Sequence, residues 1–162
     1  MNGIININKP KGITRFDVIR KLRRILREKA IGHTGTLDPM ATGVLVICVG
    51  GATRLAQDIE AQEKTYIANL DLGYRTDTLD VTGEVLERKD FIPPSKEAFI
   101  EVCNSFLGDI EQIPPMYSAI KIDGQKLYDL ARQGIEVERK PRPVTISEIK
   151  VISFTGTNAI IK

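Results

Sequence analysis

One stretch of this chain has the residue types and spacing for chemistry at a single carboxylate: Gly32-His33-Thr34-Gly35-Thr36-Leu37-Asp38-Pro39-Met40-Ala41-Thr42-Gly43. Glycines punctuate it, and a proline follows its only carboxylate. Proline stiffens the backbone after Asp38, while the glycines admit φ angles and close approaches that other residues resist. A carboxylate held in this way can attack an electrophilic carbon or accept a proton. It can equally be an Asx-turn residue ahead of proline, and residue chemistry alone favours that plainer role. Other chemistries fit less well. No Gly-Lys-Ser/Thr closes the loop as in a P-loop, and the glycines lack dinucleotide-fingerprint spacing. No second carboxylate stands beside Asp38, as glycoside hydrolysis requires. His33 is the single histidine, with no other ligand at usable spacing, so no metal site is expected. Cys48 and Cys103 each sit in an apolar run and read as buried, reduced thiols.

The elements that must position this loop follow from periodicity. Residues 4–8 form a strand candidate, broken by Lys9-Pro10-Lys11-Gly12. Thr14 with Asp17 three residues on reads as a helix N-cap, and Phe16, Val18, Ile19, Leu22, Ile25 and Leu26 then predict a helix over 15–29. Its apolar face is expected inward and its arginines outward. Residues 30–43 read as loop, 44–49 as a buried strand ended by Gly50-Gly51, and 53–62 as a helix. Residues 64–73 alternate as a strand, with Tyr66, Ala68, Leu70 and Leu72 on one face. A polar turn over 76–83 leads into a strand at 84–88. Pro93-Pro94-Ser95 opens a helix with Phe99, Val102, Cys103 and Phe106 inward and Gly108 as its C-cap. Asp123-Gly124 signals a hairpin, 127–133 a short helix stopped by Gly134, 144–154 a strand, 155–158 a turn and 159–162 a further strand. Helices and strands mix irregularly and hairpins outnumber βαβ units. The fold class is therefore α+β, a mixed, mainly antiparallel sheet with flanking helices.

A chain of 162 residues with 42% apolar and 27% charged side chains fits one domain with a real core. No run approaches the roughly 20 apolar residues that span a bilayer, and the start has no signal-peptide stretch. The expectation is a cytoplasmic protein without membrane contact. The net charge of +2 argues for no partner, but its distribution is uneven. Lys9, Lys11, Arg15, Arg20, Lys21, Arg23, Arg24, Arg27 and Lys29 crowd the first 30 residues against Asp17 and Glu28. Charge alone fits phosphate neutralisation and a solvated helix face about equally.

The loop resembles the central motif of the TruB family of pseudouridine synthases, G-H-x-G-x-L-D-P. The resemblance runs on through Ala41-Thr42-Gly43-Val44-Leu45 and Gly50-x-Ala52-Thr53-Arg54. It continues in Lys64-Thr65-Tyr66 and Gly73-x-x-Thr76-Asp77-Thr78-x-Asp80-x-x-Gly83. It resumes in Pro114-Pro115-Met116-Tyr117-Ser118-Ala119-Ile120-Lys121, followed by Gly124, Tyr128, Ala131-Arg132 and Gly134-Ile135. Thr34 after His33 matches the bacterial form of the motif.

The resemblance implies a pseudouridine synthase fold and isomerisation of a T-loop uridine of tRNA (position 55), extruded from its stack, with no cofactor. It makes Asp38 the catalytic carboxylate. It places Tyr66 on the target base, although a core aromatic on an alternating strand is the plain alternative. It sets His33 against the RNA beside the extruded nucleotide, and Lys64 joins the substrate-binding residues through its matched motif. RNA contacts are expected from Lys9, Arg20 and Arg24 around the basic helix. More are expected from Lys121, Lys126 and Arg132 in residues 113–143, which resemble the family's RNA-binding thumb. That insertion should be mobile without RNA and close over tRNA. Residues 1–162 then form part of a catalytic domain, incomplete at its C-terminus and without the C-terminal RNA-binding domain common in the family. The family's arginine partner for the catalytic aspartate lies in a later motif, so residues 1–162 alone are expected to be weakly active or inactive. A monomer is expected. Two other readings stand beside this one: a guide-RNA-dependent synthase acting on ribosomal RNA, and a non-catalytic tRNA-binding folding helper.

Overall fold

Alternation of isoleucine with asparagine makes Gly3–Lys9 a strand, β1, whose residues 3, 5, 7 and 9 turn inward. The computed structural model describes residues 1–162 except Ala119 and Asp123, and divides into two units, Met1–Lys64 and Thr65–Lys162.

In the first unit β1 pairs antiparallel with β3 (Gly43–Val49), placing Ile5 opposite Ile47 and Ile7 opposite Leu45. On the other side of β3 lies β2 (Ile31–His33), so the sheet order is β1-β3-β2. Residues 30–43 are thus not all loop: residues 31–33 form β2 and Gly43 opens β3. The helix α1 (Arg15–Leu26) begins with the expected capping box, Thr14 and Asp17 each accepting from the other's backbone N–H. It stops earlier than predicted, because Arg27 turns left-handed at φ 51. Val18, Ile19, Ile31, Leu45, Ile47 and Val49 form the buried core, with Leu22, Leu26 and Leu37 packed against it. Phe16 (53% exposed) and Ile25 (69% exposed) do not face inward as expected. At about 100° per residue, the buried stripe of α1 centres between Val18 and Ile19, and these two side chains fall on its opposite flanks. The predicted helix over 53–62 is a 3-10 turn, Gly50–Leu55, running into a short α2 (Ala56–Glu60).

In the second unit β12 (Asn158–Ile161) lies between β11 (Val151–Phe154) and β4 (Ala68–Asp71), all antiparallel. The expected strand over 64–73 is therefore shorter and excludes Tyr66. The helix α3 (Lys96–Asn104) is capped by Ser95, whose hydroxyl accepts from Ala98 N–H at 3.1 Å. Phe99 and Cys103 pack with Ala159, and the Phe99 ring stacks on Phe154 at 4.7 Å. Val102 and Phe106, expected inward, are exposed. Gly108 does not cap this helix: Ser105 does, and Gly108 opens β7 (Gly108–Gln112) at φ 88.

β7 pairs with β10 (Arg142–Ile146), so the predicted strand over 144–154 is two strands, β10 and β11. β5 (Tyr74–Thr76) pairs with β6 (Val85–Arg88) across the polar turn. β8 (Lys121–Ile122) and β9 (Gln125–Lys126) make the expected hairpin. Gly124 there sits at φ 83, and the other turn residue, Asp123, lies outside the described residues. The helix α4 (Leu127–Ala131) follows, and Gly134 ends that segment at φ 73. Every strand pairing among the described residues is antiparallel. With helices interspersed, this is the α+β class read from the sequence. Among the described residues, no helix is long and apolar enough to cross a membrane.

Candidate active site

The Asp38 loop leaves the end of β2 and is pinned at once. Thr34 is buried, and both its N–H and its hydroxyl donate to the Val46 carbonyl, at 3.1 and 3.4 Å. Gly35, at φ 136, supplies a backbone conformation that a side chain resists. Residues 38–41 then make a tight turn, Ala41 N–H donating to the Asp38 carbonyl at 3.0 Å with Pro39 at the second position. Gly43, at φ 121, feeds the chain into β3. The outcome is an exposed Asp38 on a turn fixed at both ends.

The turn is also held from beneath. Gly12 N–H donates to the Pro39 carbonyl at 2.7 Å. The Lys9 ammonium donates to the carbonyls of Ile13 (2.9 Å), Pro10 (3.1 Å) and Pro39 (3.4 Å). Lys9 is 0% exposed, which corrects its expected place among the RNA contacts. The reason is the strand's own period: residue 9 shares the inward face of Ile5 and Ile7. Its three N–H donors match the three carbonyls, so the buried charge is fully hydrogen-bonded.

His33 is partly buried between α1 and the loop. Arg15 Nε–H donates to His33 Nε2 at 3.0 Å, so the neutral ring carries its proton on Nδ1. Burial, and then the Arg15 guanidinium, push the His33 pKa below its ordinary value, although the Gly35 carbonyl works the other way. The ring of Phe16 stands edge-on to His33 with centroids 6.3 Å apart. Lys64 is exposed, and its ammonium caps α2 by donating to the carbonyls of Glu60 and Gln62, the latter at 2.9 Å. A side chain on Gly35 would meet the Lys64 stem at 3.8 Å, so this lysine borders the motif loop. Arg20 and Arg24 are exposed, and Arg20 is paired with Asp17 at 3.2 Å.

In the second unit Tyr66 is 58% exposed ahead of β4, so its ring is available and the core-aromatic role does not apply. The matched block from Thr76 to Gly83 is one hydrogen-bonded loop between β5 and β6. Asp77 Oδ1 accepts from Thr78 N–H (2.9 Å) and Glu84 N–H (2.8 Å). Asp80 Oδ1 accepts from the Thr78 hydroxyl (2.8 Å) and from both Thr82 N–H (2.8 Å) and its hydroxyl (2.6 Å). Burial raises the Asp80 pKa, yet the Thr82 and Thr78 donors outweigh it and leave the carboxyl below its usual range. A Cβ at Gly83 would collide with the Asp77 carboxylate and the Thr78 hydroxyl, which explains the glycine.

The Asp77 carboxylate, then burial, pushes the Tyr117 pKa up. Tyr117 belongs to the excursion between β7 and β10, whose strands close at Gln112 opposite Arg142. Residues 113–141 thus stand on a two-stranded stem. They carry Lys121, which is exposed, and Lys126, whose ammonium donates to the Tyr128 hydroxyl at 2.7 Å. The Arg132 guanidinium lies 5.4 Å from the Tyr128 ring. Sequence reasoning missed Arg15 as the partner of His33, a pairing of residues 18 apart that no local signal announces.

The first unit thus presents an exposed aspartate on a turn fixed at both ends, in the same loop region as a partly buried histidine and bordered by a lysine that caps α2. The family model of the TruB family pseudouridylate synthase N-terminal domain matches residues 23–162. The chain belongs to that family. It is 57% identical over 162 residues to tRNA pseudouridine synthase B of Fusobacterium nucleatum subsp. nucleatum, covering 100% of this chain and 56% of that protein. The enzyme of the same name from Clostridium tetani is 55% identical over 152 residues, covering 94% of this chain and 53% of that protein. This chain therefore spans about half the length of these curated relatives. Among solved structures, a Cbf5-Nop10-Gar1 complex matches with a TM-score of 0.64 at 27% identity, over 98% of this chain and 38% of the matched one. An H/ACA RNP bound to a substrate RNA containing 2'-deoxyuridine shares the fold, with a TM-score of 0.66 at 24% identity, over 98% and 36%.

Two outcomes follow from this geometry. Replacing Lys9 by Met removes the ammonium that three part-buried carbonyls share, at a cost of about 1–3 kcal/mol. Chemical denaturation should register that loss, and the Ala41 and Gly12 amides should exchange faster; unchanged exchange would show that Lys9 does not hold the turn. His33, the one imidazole of the chain, should titrate below 6.5 by NMR. Replacing Arg15 by Met removes the repelling charge, so the midpoint should rise towards 6.5 without reaching it, because burial remains. A midpoint that stays or falls would contradict the Arg15 contact.

Proposed function

We propose that the full-length protein isomerises uridine to pseudouridine in the T loop of tRNA, with Asp38 as the catalytic carboxylate. The observation that carries this reading is the exposed Asp38 on a turn pinned by Lys9, Gly12 and Thr34, within a family-matched motif. The two relatives above bear the name of a tRNA-modifying enzyme, which favours tRNA over guide-directed ribosomal RNA and over a non-catalytic helper.

The chemistry is an internal exchange. The bond from the ribose C1′ to N1 of uracil breaks, the base turns, and C1′ bonds to C5; a proton leaves C5 and N1 gains one. Atoms balance without oxidant, reductant or cofactor. The ionised Asp38 carboxylate serves the step either by attacking C1′ or by taking the sugar proton beside it. The reacting bond is unreachable inside a stack, so the uridine is swung out of the T loop. The exposed ring of Tyr66 receives the extruded base by stacking and assists proton transfer, and His33 lies against the RNA beside it. Lys64 borders the same loop. Arg20, Arg24, Lys121, Lys126 and Arg132 supply phosphate contacts, and residues 113–143 act as a thumb that closes over the RNA. Limited proteolysis of that segment with and without tRNA tests the closure, equal cleavage counting against it. Recognition rests on loop shape and phosphates more than on base sequence. The enzyme works as a monomer in the cytoplasm, with residues 1–162 contributing to its catalytic domain.

In the full-length protein, Asp38→Asn should keep tRNA binding and lose at least about a hundredfold in turnover. Incubation with a tRNA transcript, followed by position-by-position mapping of pseudouridine, reads the result. Persistent modification at the T loop would remove Asp38 from catalysis.

A further inference from the structure

Beside the Asp38 loop, a groove of about 590 Å³ runs between α1 and β2, lined by Phe16, Ile19, Arg20, Arg23, Gly32 and His33. Its helical wall has a simple origin. At about 100° per residue, Ile19, Arg23, Phe16 and Arg20 follow one another around a single flank of α1, next to its buried stripe. The opposite wall is β2, which pairs only with β3 among the described strands and whose Ile31 N–H already donates to the Lys29 carbonyl at 3.1 Å. Phe16 has no core to fill and is 53% exposed, with the Arg15 guanidinium 4.7 Å from its ring centre. Asp17 is the one carboxylate on this helix, and Thr14 and Arg20 already engage it.

An exposed aromatic ring and two guanidiniums one helical turn apart combine the means by which single-stranded nucleic acid is held. Bases stack on the ring and phosphates meet the cations. An acidic peptide would satisfy the arginines but leave the face of the Phe16 ring without a stacking partner. His33 ties the groove to the reacting loop, standing edge-on to Phe16 and five residues ahead of Asp38. We propose that this groove seats an RNA nucleotide neighbouring the one presented to Asp38, its base against Phe16 and its phosphate between Arg20 and Arg23. The proposal rests on the pseudouridine-synthase reading. It makes Phe16 and Arg23, neither of them part of the matched motifs, determinants of RNA affinity in this chain.

The test uses the full-length protein and a fluorescently labelled T-stem-loop RNA, with Kd measured by anisotropy over a range of salt. Phe16→Leu keeps apolar bulk but removes the ring, and should weaken binding about tenfold. Phe16→Trp should bind as wild type or tighter. Arg23→Gln should weaken binding and lower the slope of log Kd against log salt by about 0.7–0.9, the loss of one phosphate contact. Lys96→Gln, on α3 in the other unit, should leave that slope unchanged. Phe16 and Arg23 are exposed, so thermal melts should move little, and the Arg23 variant answers independently if Phe16→Leu fails to fold. Wild-type Kd and slope in Phe16→Leu and Arg23→Gln would overturn the groove as a nucleotide seat. If Asp38→Asn still abolishes modification in that case, the activity stands without it. Failure of the wild-type protein to modify tRNA would instead remove the reading on which the groove depends. Loss of binding to an acidic peptide, with RNA binding intact, would assign the groove to a protein partner and overturn the proposal.

Discussion

A buried ammonium holding three carbonyls is the constraint on which the rest of this site depends. Lys9 closes β1 on its inward face, where an uncompensated charge would be costly, and meets the carbonyls of Pro10, Ile13 and Pro39. Two loops that are separate in sequence, at residues 10–13 and 38–41, are thereby tied together. Gly12 N–H adds a second tie to the same Pro39 carbonyl. The backbone that carries the aspartate before that proline is held by these contacts. Its position is set by the sheet, which is what an exposed carboxylate needs if it is to act at one carbon of one nucleotide.

The carboxylates of the matched loop in the second unit are used differently from Asp38. Asp77 and Asp80 spend their oxygens on backbone and threonine donors of their own loop. That consumption explains why the block reads Thr-Asp-Thr-x-Asp and why Gly83 admits no side chain. Asp38 is exposed on its turn instead. The excursion over residues 113–141 stands on the β7–β10 stem, which closes at Gln112 opposite Arg142.

How much of this was legible depended on whether the signal was local. The capping box at Thr14 and Asp17, the strands β1 and β3, the hairpin around Gly124 and the Asp38 turn all follow from neighbouring residues, and all are present. Lys9 was misread because a count of cations ignores strand period, although its place on the face of Ile5 and Ile7 was there to be read. The strand β2 escaped notice because three residues ending in Gly32 and His33 carry no alternation; only the partner strand β3 makes them a strand. Gly108 was taken for a helix cap because a positive φ serves strand entry equally well. Phe16 was counted as core because its spacing fits the helical period, while its position on the flank depends on where the sheet lies.

If fixed placement rather than mere charge is what Asp38 contributes, lengthening it by one methylene is the most direct trial. In the full-length protein, Asp38→Glu keeps the carboxylate but moves it about 1 Å or more off the turn's line. The account predicts wild-type tRNA affinity with single-turnover pseudouridine formation slowed by about a hundredfold or more. Glutamate turning over at close to the aspartate rate would contradict it, and the rigid turn would then have no part in the chemistry.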